Sequence, residues 1–388
     1  MRDKHTGKIK QILAVGWEDF VKANPVRTAV HMNVNKMMAC RTALMGSHFY
    51  VCECCGETRI IPHSCKSRFC SVCGMVATEN WIRHQFGLLL SCPYQHVVVT
   101  IPYDFRWMAK RCRKEVLGSI SRIAAEVIME WSQARGFRPG IVSFFHSFGE
   151  TLQFHPHYHI LVTSGGLTPN GTWRTERAEF PGELLMRRYR AKMLSFFREL
   201  ILSGKLKTKK SKWYYVKQLS ATALHWQFFV ERITYNERTM LLYITRYVKR
   251  MIMSEKRIVS WNEQDVTFMT KSGKTLVYPM AMFIKCITQH IPDRYFPLIR
   301  YYGIYASACR EDYEKAKLFW GTLQKPVKRS TWRERQWTRL GYDPLWCCGQ
   351  TMRLLQVNYP KSWAHLTWEQ LLTVNDIAHQ QKLKWDDS

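Results

Sequence analysis

The spacing of apolar and polar positions changes several times along this chain, and each change predicts an element. Residues 1–39 carry apolar positions at helical spacing among mixed charges, interrupted at Pro25, and read as a helical N-terminal segment. A further helix is expected over 76–91. Tyr94 to Pro102 is a β-branched run closed by proline, which predicts a buried strand. A long amphipathic helical region runs from about Phe105 to Arg135 and ends at Gly136 and Pro139. Two strands follow, Ile141–His146 and Phe154–Val162, closing at Ser164-Gly165-Gly166. Residues 167–180 are loop-like, 182–203 helical, and Trp213–Val216 and Trp226–Ile233 are read as strands. Asn236 is a candidate helix cap, and Met240, Ile244, Val248 and Met251 form an apolar stripe behind it. Thr267–Val277 predicts a hairpin turning at Ser272-Gly273, and 279–292 a helix. Tyr295–Tyr305 is aromatic and basic, and the last 80 or so residues read as helical and Trp-rich. Helices and strands in this mixture predict an α+β chain, and the length allows two or three domains.

Within that pattern one strand carries chemistry. In Phe154-His155-Pro156-His157-Tyr158-His159 the histidines occupy every second position, so all three project from one face. Adjacent imidazoles on a rigid strand supply half of a divalent metal site. If the two strands pair as a hairpin turning near Thr151-Leu152, His146 falls opposite His157 on the same face and supplies a third ligand. Glu150, nearer the turn, is the alternative third ligand. His155 precedes a proline, which biases it to extended backbone, and that alone accounts for it.

Charge adds a partner. Lysine and arginine number 58 against 30 acidic residues, a net +28 spread along the chain, and 13% of residues are aromatic. A polyanion best offsets such an excess, and aromatics among cations suit stacking on unpaired bases, so nucleic acid is expected. The N-terminus lacks an apolar segment with a cleavage site, and no window is apolar enough to span a bilayer, so a cytoplasmic protein without a membrane partner is expected.

Of 13 cysteines, seven lie between Cys40 and Cys73. In a reducing compartment such clustering argues for metal rather than disulfides. The knuckles Cys52-x-x-Cys55 and Cys70-x-x-Cys73 are the expected four-thiolate Zn²⁺ ligands, with glycine after each to ease the turn. Cys40, His63 and Cys65 are left as a candidate second set, with packing favoured. Cys347 and Cys348 are adjacent and give no ligand spacing. Gly273-Lys274-Thr275 lacks the first glycine of a phosphate loop, so no nucleotide cofactor is expected.

Tyr243 and Tyr247, at i and i+4, would set two hydroxyls one turn apart on a helix, with Arg246, Lys249 and Arg250 nearby as candidate DNA contacts. A tyrosine hydroxyl is a poor nucleophile at neutral pH unless a metal, here Mg²⁺ or Mn²⁺, polarises the phosphate it attacks. Together these parts point to phosphoryl transfer onto tyrosine, leaving a 5′-phosphotyrosine and a free 3′-hydroxyl.

An ordered set of motifs carries a resemblance. It comprises Cys40-Arg41-Thr42, Cys52-x-x-Cys55, His63-Ser64-Cys65-Lys66-Ser67-Arg68-x-Cys70-x-x-Cys73-Gly74, His146-Ser147-Phe148-Gly149, His155-Pro156-His157-Tyr158-His159, Tyr243-x-x-Arg246-Tyr247-x-x-Arg250 and Arg300-Tyr301-Tyr302-Gly303. With these the chain resembles the IS91 family of transposases, in the HUH (His-hydrophobic-His) endonuclease superfamily. The resemblance implies His157 and His159 as the metal-binding pair, Tyr243 and Tyr247 as nucleophiles, and a zinc-binding cysteine module. It further implies cleavage of single-stranded DNA at the transposon ends and rolling-circle-like transposition of an insertion sequence. The expected domains are the helical segment 1–39, a zinc-binding domain over 40–90, an HUH nuclease domain over 91–255 with an antiparallel sheet flanked by helices, and a C-terminal hairpin and mostly helical region over 256–388. Two departures stand out: Tyr158 is less apolar than the usual middle residue, and the family's C-terminal Cys-x-x-Cys-Gly appears here as Cys347-Cys348-Gly349. A histidine-triad nucleotide hydrolase would share the histidine strand but needs neither knuckles nor this charge. A cupin would want a glutamate shortly after His159. A non-catalytic zinc-ribbon DNA-binding protein leaves the histidine strand unexplained.

Overall fold

A computed structural model describes residues 7–67, 69–70, 73–74, 82, 84–208, 211–221, 225–232, 252–323, 331–359 and 366–374. The chain forms two compact units. One takes residues 1–81, 249–292 and 328–388, the other 82–248 and 293–327. Each unit gathers chain from distant parts of the sequence.

In the first unit, helices Lys8–Ala23 and Thr28–Met38 flank Pro25 and bury apolar stripes that include Ile12, Leu13, Trp17, Val30 and Val34. Helix Met280–Thr288 packs on the first of them, and Gly16 makes the approach: a Cβ there would meet Met280 Cγ at 2.5 Å. Strands β1 (Ser47–Val51) and β2 (Thr58–Pro62) form a hairpin, and β14 (Arg353–Asn358) pairs antiparallel on the other side of β1. A separate meander joins β8 (Ile258–Trp261), β9 (Asp265–Met269) and β10 (Thr275–Pro279), with Gly273 at φ +88° in the last turn, as the Ser272-Gly273 signal predicts. Near the C-terminus, helix Trp332–Leu340 opens with a Thr331/Glu334 capping box. The short ribbon β12 (Trp346–Cys347) and β13 (Gln350–Thr351) follows it, so the C-terminal segment contributes strands as well as helices.

The second unit is built on an antiparallel sheet. Its strands are β3 (Tyr94–Thr100), β4 (Arg138–Phe148), β5 (Phe154–Leu167), β7 (Gln227–Arg232) and β11 (Ile299–Gly303), in the order β11-β4-β5-β3-β7. A sixth, β6 (Trp173–Thr175), pairs with the end of β5 inside the stretch read as loop. Helices Arg113–Gln133 and Gly182–Leu202 contribute Val116, Ile120, Ala124, Tyr189 and Phe197 to a core shared with Phe145, Tyr158, Ile160 and Val162 of the sheet. Tyr158, fully buried, donates its hydroxyl to the Leu117 carbonyl at 2.9 Å, which ties β5 to the first of these helices. Trp213–Val216 lies in a helix, Lys212–Ala221, not a strand. Tyr215 and Leu219, one turn apart, pack on the core, so tertiary burial at helical spacing overrides the β-propensity of the aromatic run. Among the described residues no helix is long and apolar enough to cross a membrane.

Candidate metal centres

Strand alternation positions the histidines. Along β5, Phe154, Pro156 and Tyr158 are buried while His155, His157 and His159 between them are half-buried on the opposite face. The β4–β5 register sets His146 opposite His157 and Phe144 opposite His159, as the hairpin reading requires, with Leu152 at φ +62° in the turn. Ring centroids of His146 lie 5.3 Å from His157 and 4.4 Å from His159, and those of His157 and His159 lie 5.2 Å apart. One nitrogen from each of these three falls within 4.8 Å of the others. Glu150 is exposed in the turn and does not join this group. Neither does His155, whose Nε2 is buried without a hydrogen-bond partner among the described residues. Burial, with His157 and Arg106 adding to it, pushes that imidazole down to about 4.

Two neighbours orient these candidate ligands. His157 Nδ1 donates to the His155 carbonyl at 2.8 Å, which leaves the lone pair on Nε2. His159 Nδ1 lies 2.8 Å from Nε2 of His96 on β3, with the two rings within 4° of parallel. His96 is 5% exposed, and burial holds its imidazole below the usual range, hence neutral. Glu231 of β7 stands directly opposite His96 in register, its carboxylate 3.7 Å from His96 Nδ1. A carboxylate there favours the His96 proton on Nδ1, so Nε2 accepts from His159 Nδ1–H and the His159 Nε2 lone pair is presented for a cation. The sequence reading missed both residues. His96 stands in a β-branched run that reads as core, and only the pairing of β3 with β5 and β7 joins it to His159 and Glu231. Replacing His96 by alanine should weaken Mn²⁺ binding about 10- to 100-fold, read by electron paramagnetic resonance. His96→Gln, which keeps an acceptor, should recover part of the loss. Unchanged affinity in His96→Ala would remove it from the centre.

Among the described residues, eight of the 13 cysteines assemble in two groups, both in the first unit, and the two knuckles do not meet. Cys70 and Cys73 converge with Cys40 and Cys65; Cys52 and Cys55 converge with Cys347 and Cys348. In the first group Sγ atoms lie 3.5 Å (Cys40–Cys73), 3.6 Å (Cys65–Cys73) and 3.8 Å (Cys40–Cys70) apart. Four sulfurs at about 2.3 Å from a tetrahedral zinc would stand about 3.8 Å apart, so this set fits. Hydrogen bonds from Cys40, Cys65 and Cys70 hold Cys73 far below the usual thiol range, while Cys40, Cys70 and Cys73 push Cys65 far above it. Burial lowers the pKa of the Lys10 ammonium, and charge on the neighbouring cysteines acts in the opposite direction. His63 is occupied elsewhere: its Nδ1 donates to the Met45 carbonyl at 3.1 Å and its Nε2 meets His48 Nδ1 at 3.0 Å. Of the second set read from sequence, Cys40 and Cys65 therefore join the Cys70/Cys73 knuckle and His63 stays out. In the other knuckle the Cys55 and Cys54 backbone amides, with nearby thiols, lower Cys52 to about 6. Tyr243, Tyr247, Arg246, Lys249 and Arg250 lie outside the described residues.

A histidine cluster on the antiparallel sheet of one unit, a cysteine-rich module in the other and a strongly basic chain are the parts of a DNA-processing enzyme, and the comparisons give its class as transposase. Residues 140–312 match the family model for a putative transposase, and residues 12–101 match that of a transposase zinc-binding domain. The transposase for insertion sequence element IS801 of Pseudomonas savastanoi pv. phaseolicola is 30% identical, over 75% of this chain and 74% of its own. The putative transposase y4qJ of Sinorhizobium fredii is 28% identical, over 73% of this chain and 76% of its own. The chain belongs to the IS91 family of transposases. No solved structure matches it.

Proposed function

We propose that this transposase nicks and rejoins single-stranded DNA at the ends of its insertion sequence through a 5′-phosphotyrosine, and so drives rolling-circle-like transposition in the cytoplasm. The observation that carries this reading is the convergence of His146, His157 and His159 on one sheet face, with His159 turned by His96. A Mg²⁺ or Mn²⁺ ion held by these three imidazoles would polarise the scissile phosphate and offset charge building on it. Tyr243 or Tyr247 attacks the phosphorus through Oη, which loses its proton. A new P–O bond to the tyrosine forms, the P–O3′ bond breaks, and the departing 3′-oxygen takes up a proton. The bond energy is kept in the phosphotyrosine, so a 3′-hydroxyl can reverse the attack and reseal the strand without a nucleotide cofactor. Two tyrosines allow two covalent strands, or transfer from one to the other. Cys40, Cys65, Cys70 and Cys73 hold a structural zinc.

Single strands are the favoured substrate because cations here sit on exposed aromatics. The Arg106 guanidinium lies 5.4 Å from the ring centroid of Tyr103, which is 75% exposed, and that of Arg294 lies 4.7 Å from the ring of Tyr295, 85% exposed. Such a surface binds the backbone by charge and bases by stacking. End-labelled oligonucleotides in Mg²⁺ should be nicked when single-stranded and left intact when duplex. Affinity for the single strand should fall at least about tenfold between roughly 50 and 200 mM salt. Equal nicking of both forms, or binding indifferent to salt, would refute this reading.

A further inference from the structure

The second cysteine group joins chain from both ends of the sequence. Cys52 and Cys55 lie in the turn between β1 and β2, where Gly56 at φ +76° donates its amide to the Cys52 carbonyl at 2.9 Å. Cys347 ends β12, and Cys348 with Gly349 makes the two-residue turn into β13. Both turn residues have positive φ, +47° and +76°, the sign pattern of a type I′ hairpin turn. Adjacent residues of a strand point to opposite faces, but the left-handed backbone at Cys348 breaks that alternation and leaves its Sγ 3.8 Å from that of Cys347. Asparagine, aspartate or glycine suit that turn position better than cysteine, so the strained cysteine points to a role for its thiol. Cys55 Sγ lies 3.7 Å from Cys347 Sγ, and one sulfur from each of the four cysteines falls within 4.8 Å of the others. Both distances match the spacing of about 3.8 Å between thiolates on one tetrahedral zinc and far exceed a disulfide bond of about 2.05 Å.

Contacts that do not involve sulfur hold the ribbon in the same place. β14 pairs along β1, with Arg353 opposite Val51, Arg353 Nε lies 2.5 Å from the Glu53 carboxylate, and Arg59 donates to the Pro344 carbonyl. We propose that Cys52, Cys55, Cys347 and Cys348 form a second structural zinc site, which clamps the C-terminal hairpin to the N-terminal zinc-binding module. The matched zinc-binding domain ends at residue 101, so two of these ligands come from outside it. Adjacent cysteines do the work that a spaced pair does elsewhere, because the turn at Cys348 replaces the missing spacer.

Zinc content of the full-length protein, purified under reducing conditions, tests the site. Two zinc ions per chain are expected, falling to one in Cys347→Ser/Cys348→Ser and to one in Cys70→Ser/Cys73→Ser. Loss of the first set alone would therefore not be mistaken for loss of the second. Should the substituted chains fail to fold, the unmodified protein still decides. With zinc bound, maleimide should spare Cys52, Cys55, Cys347 and Cys348, and a chelator should expose all four, as mapped by peptide mass. Free labelling of Cys347 and Cys348 in zinc-loaded protein, or a Cys55–Cys347 disulfide under those conditions, overturns the proposal.

Discussion

His157→Ala protein should fold normally, bind no divalent cation at the histidine centre, and nick DNA roughly a thousandfold more slowly or not at all. A metal acting on the scissile phosphate is worth several kcal/mol of charge stabilisation, and about 4 kcal/mol corresponds to a thousandfold in rate. His157 is one of the three clustered imidazoles, so removing it leaves two. Folding should be spared, because the core face of β5 is built by Phe154, Tyr158 and Ile160, not by the histidines. The check is paired: nicking of labelled single strands in Mg²⁺ beside thermal unfolding of the same preparation. A slow variant that has also lost its stability would say nothing about metal, whereas wild-type nicking in a metal-free variant would contradict the centre outright.

Tyr243→Phe/Tyr247→Phe should lose the covalent DNA adduct and keep DNA binding. Each substitution removes one oxygen, the proposed nucleophile, and retains the ring and the charge. At least one of the single substitutions should still cleave yet fail to complete transfer, since the second hydroxyl is then missing. An adduct that persists in the double variant would place the nucleophile elsewhere.

Much of the second unit was legible in the sequence because its signals are local. A strand has period two, so three alternate histidines must share a face, and a hairpin with its turn at 149–153 leaves little freedom in register. The helix Arg113–Gln133 and the turn at Gly273 were equally local. What the sequence did not carry is pairing between distant strands. His96 and Glu231 become neighbours of the site only because β3 lies between β5 and β7. The cysteine partners failed for the same reason. Knuckle spacing shows that Cys52/Cys55 and Cys70/Cys73 are turns built for metal, but not which sulfurs complete each set. Cys40 reaches the Cys70 knuckle from just beyond helix Thr28–Met38, and Cys347 reaches Cys55 across 292 positions through the pairing of β14 with β1. Trp213–Val216 was misread because β-propensity reports fit to a half-buried surface, and here that surface belongs to a helix.

On the proposed mechanism, a metal held by His146, His157 and His159 would drive transfer of a DNA phosphate to a tyrosine of this chain. The most direct test is to incubate the protein with single-stranded DNA carrying a transposon end, in Mg²⁺, trim the DNA with nuclease and map the modified peptide by mass spectrometry. The expected result is a nucleotide-phosphate adduct on Tyr243 or Tyr247, formed with Mg²⁺ or Mn²⁺ and absent when the cation is chelated. An adduct on a histidine, or nicked DNA with no protein attached, would contradict it.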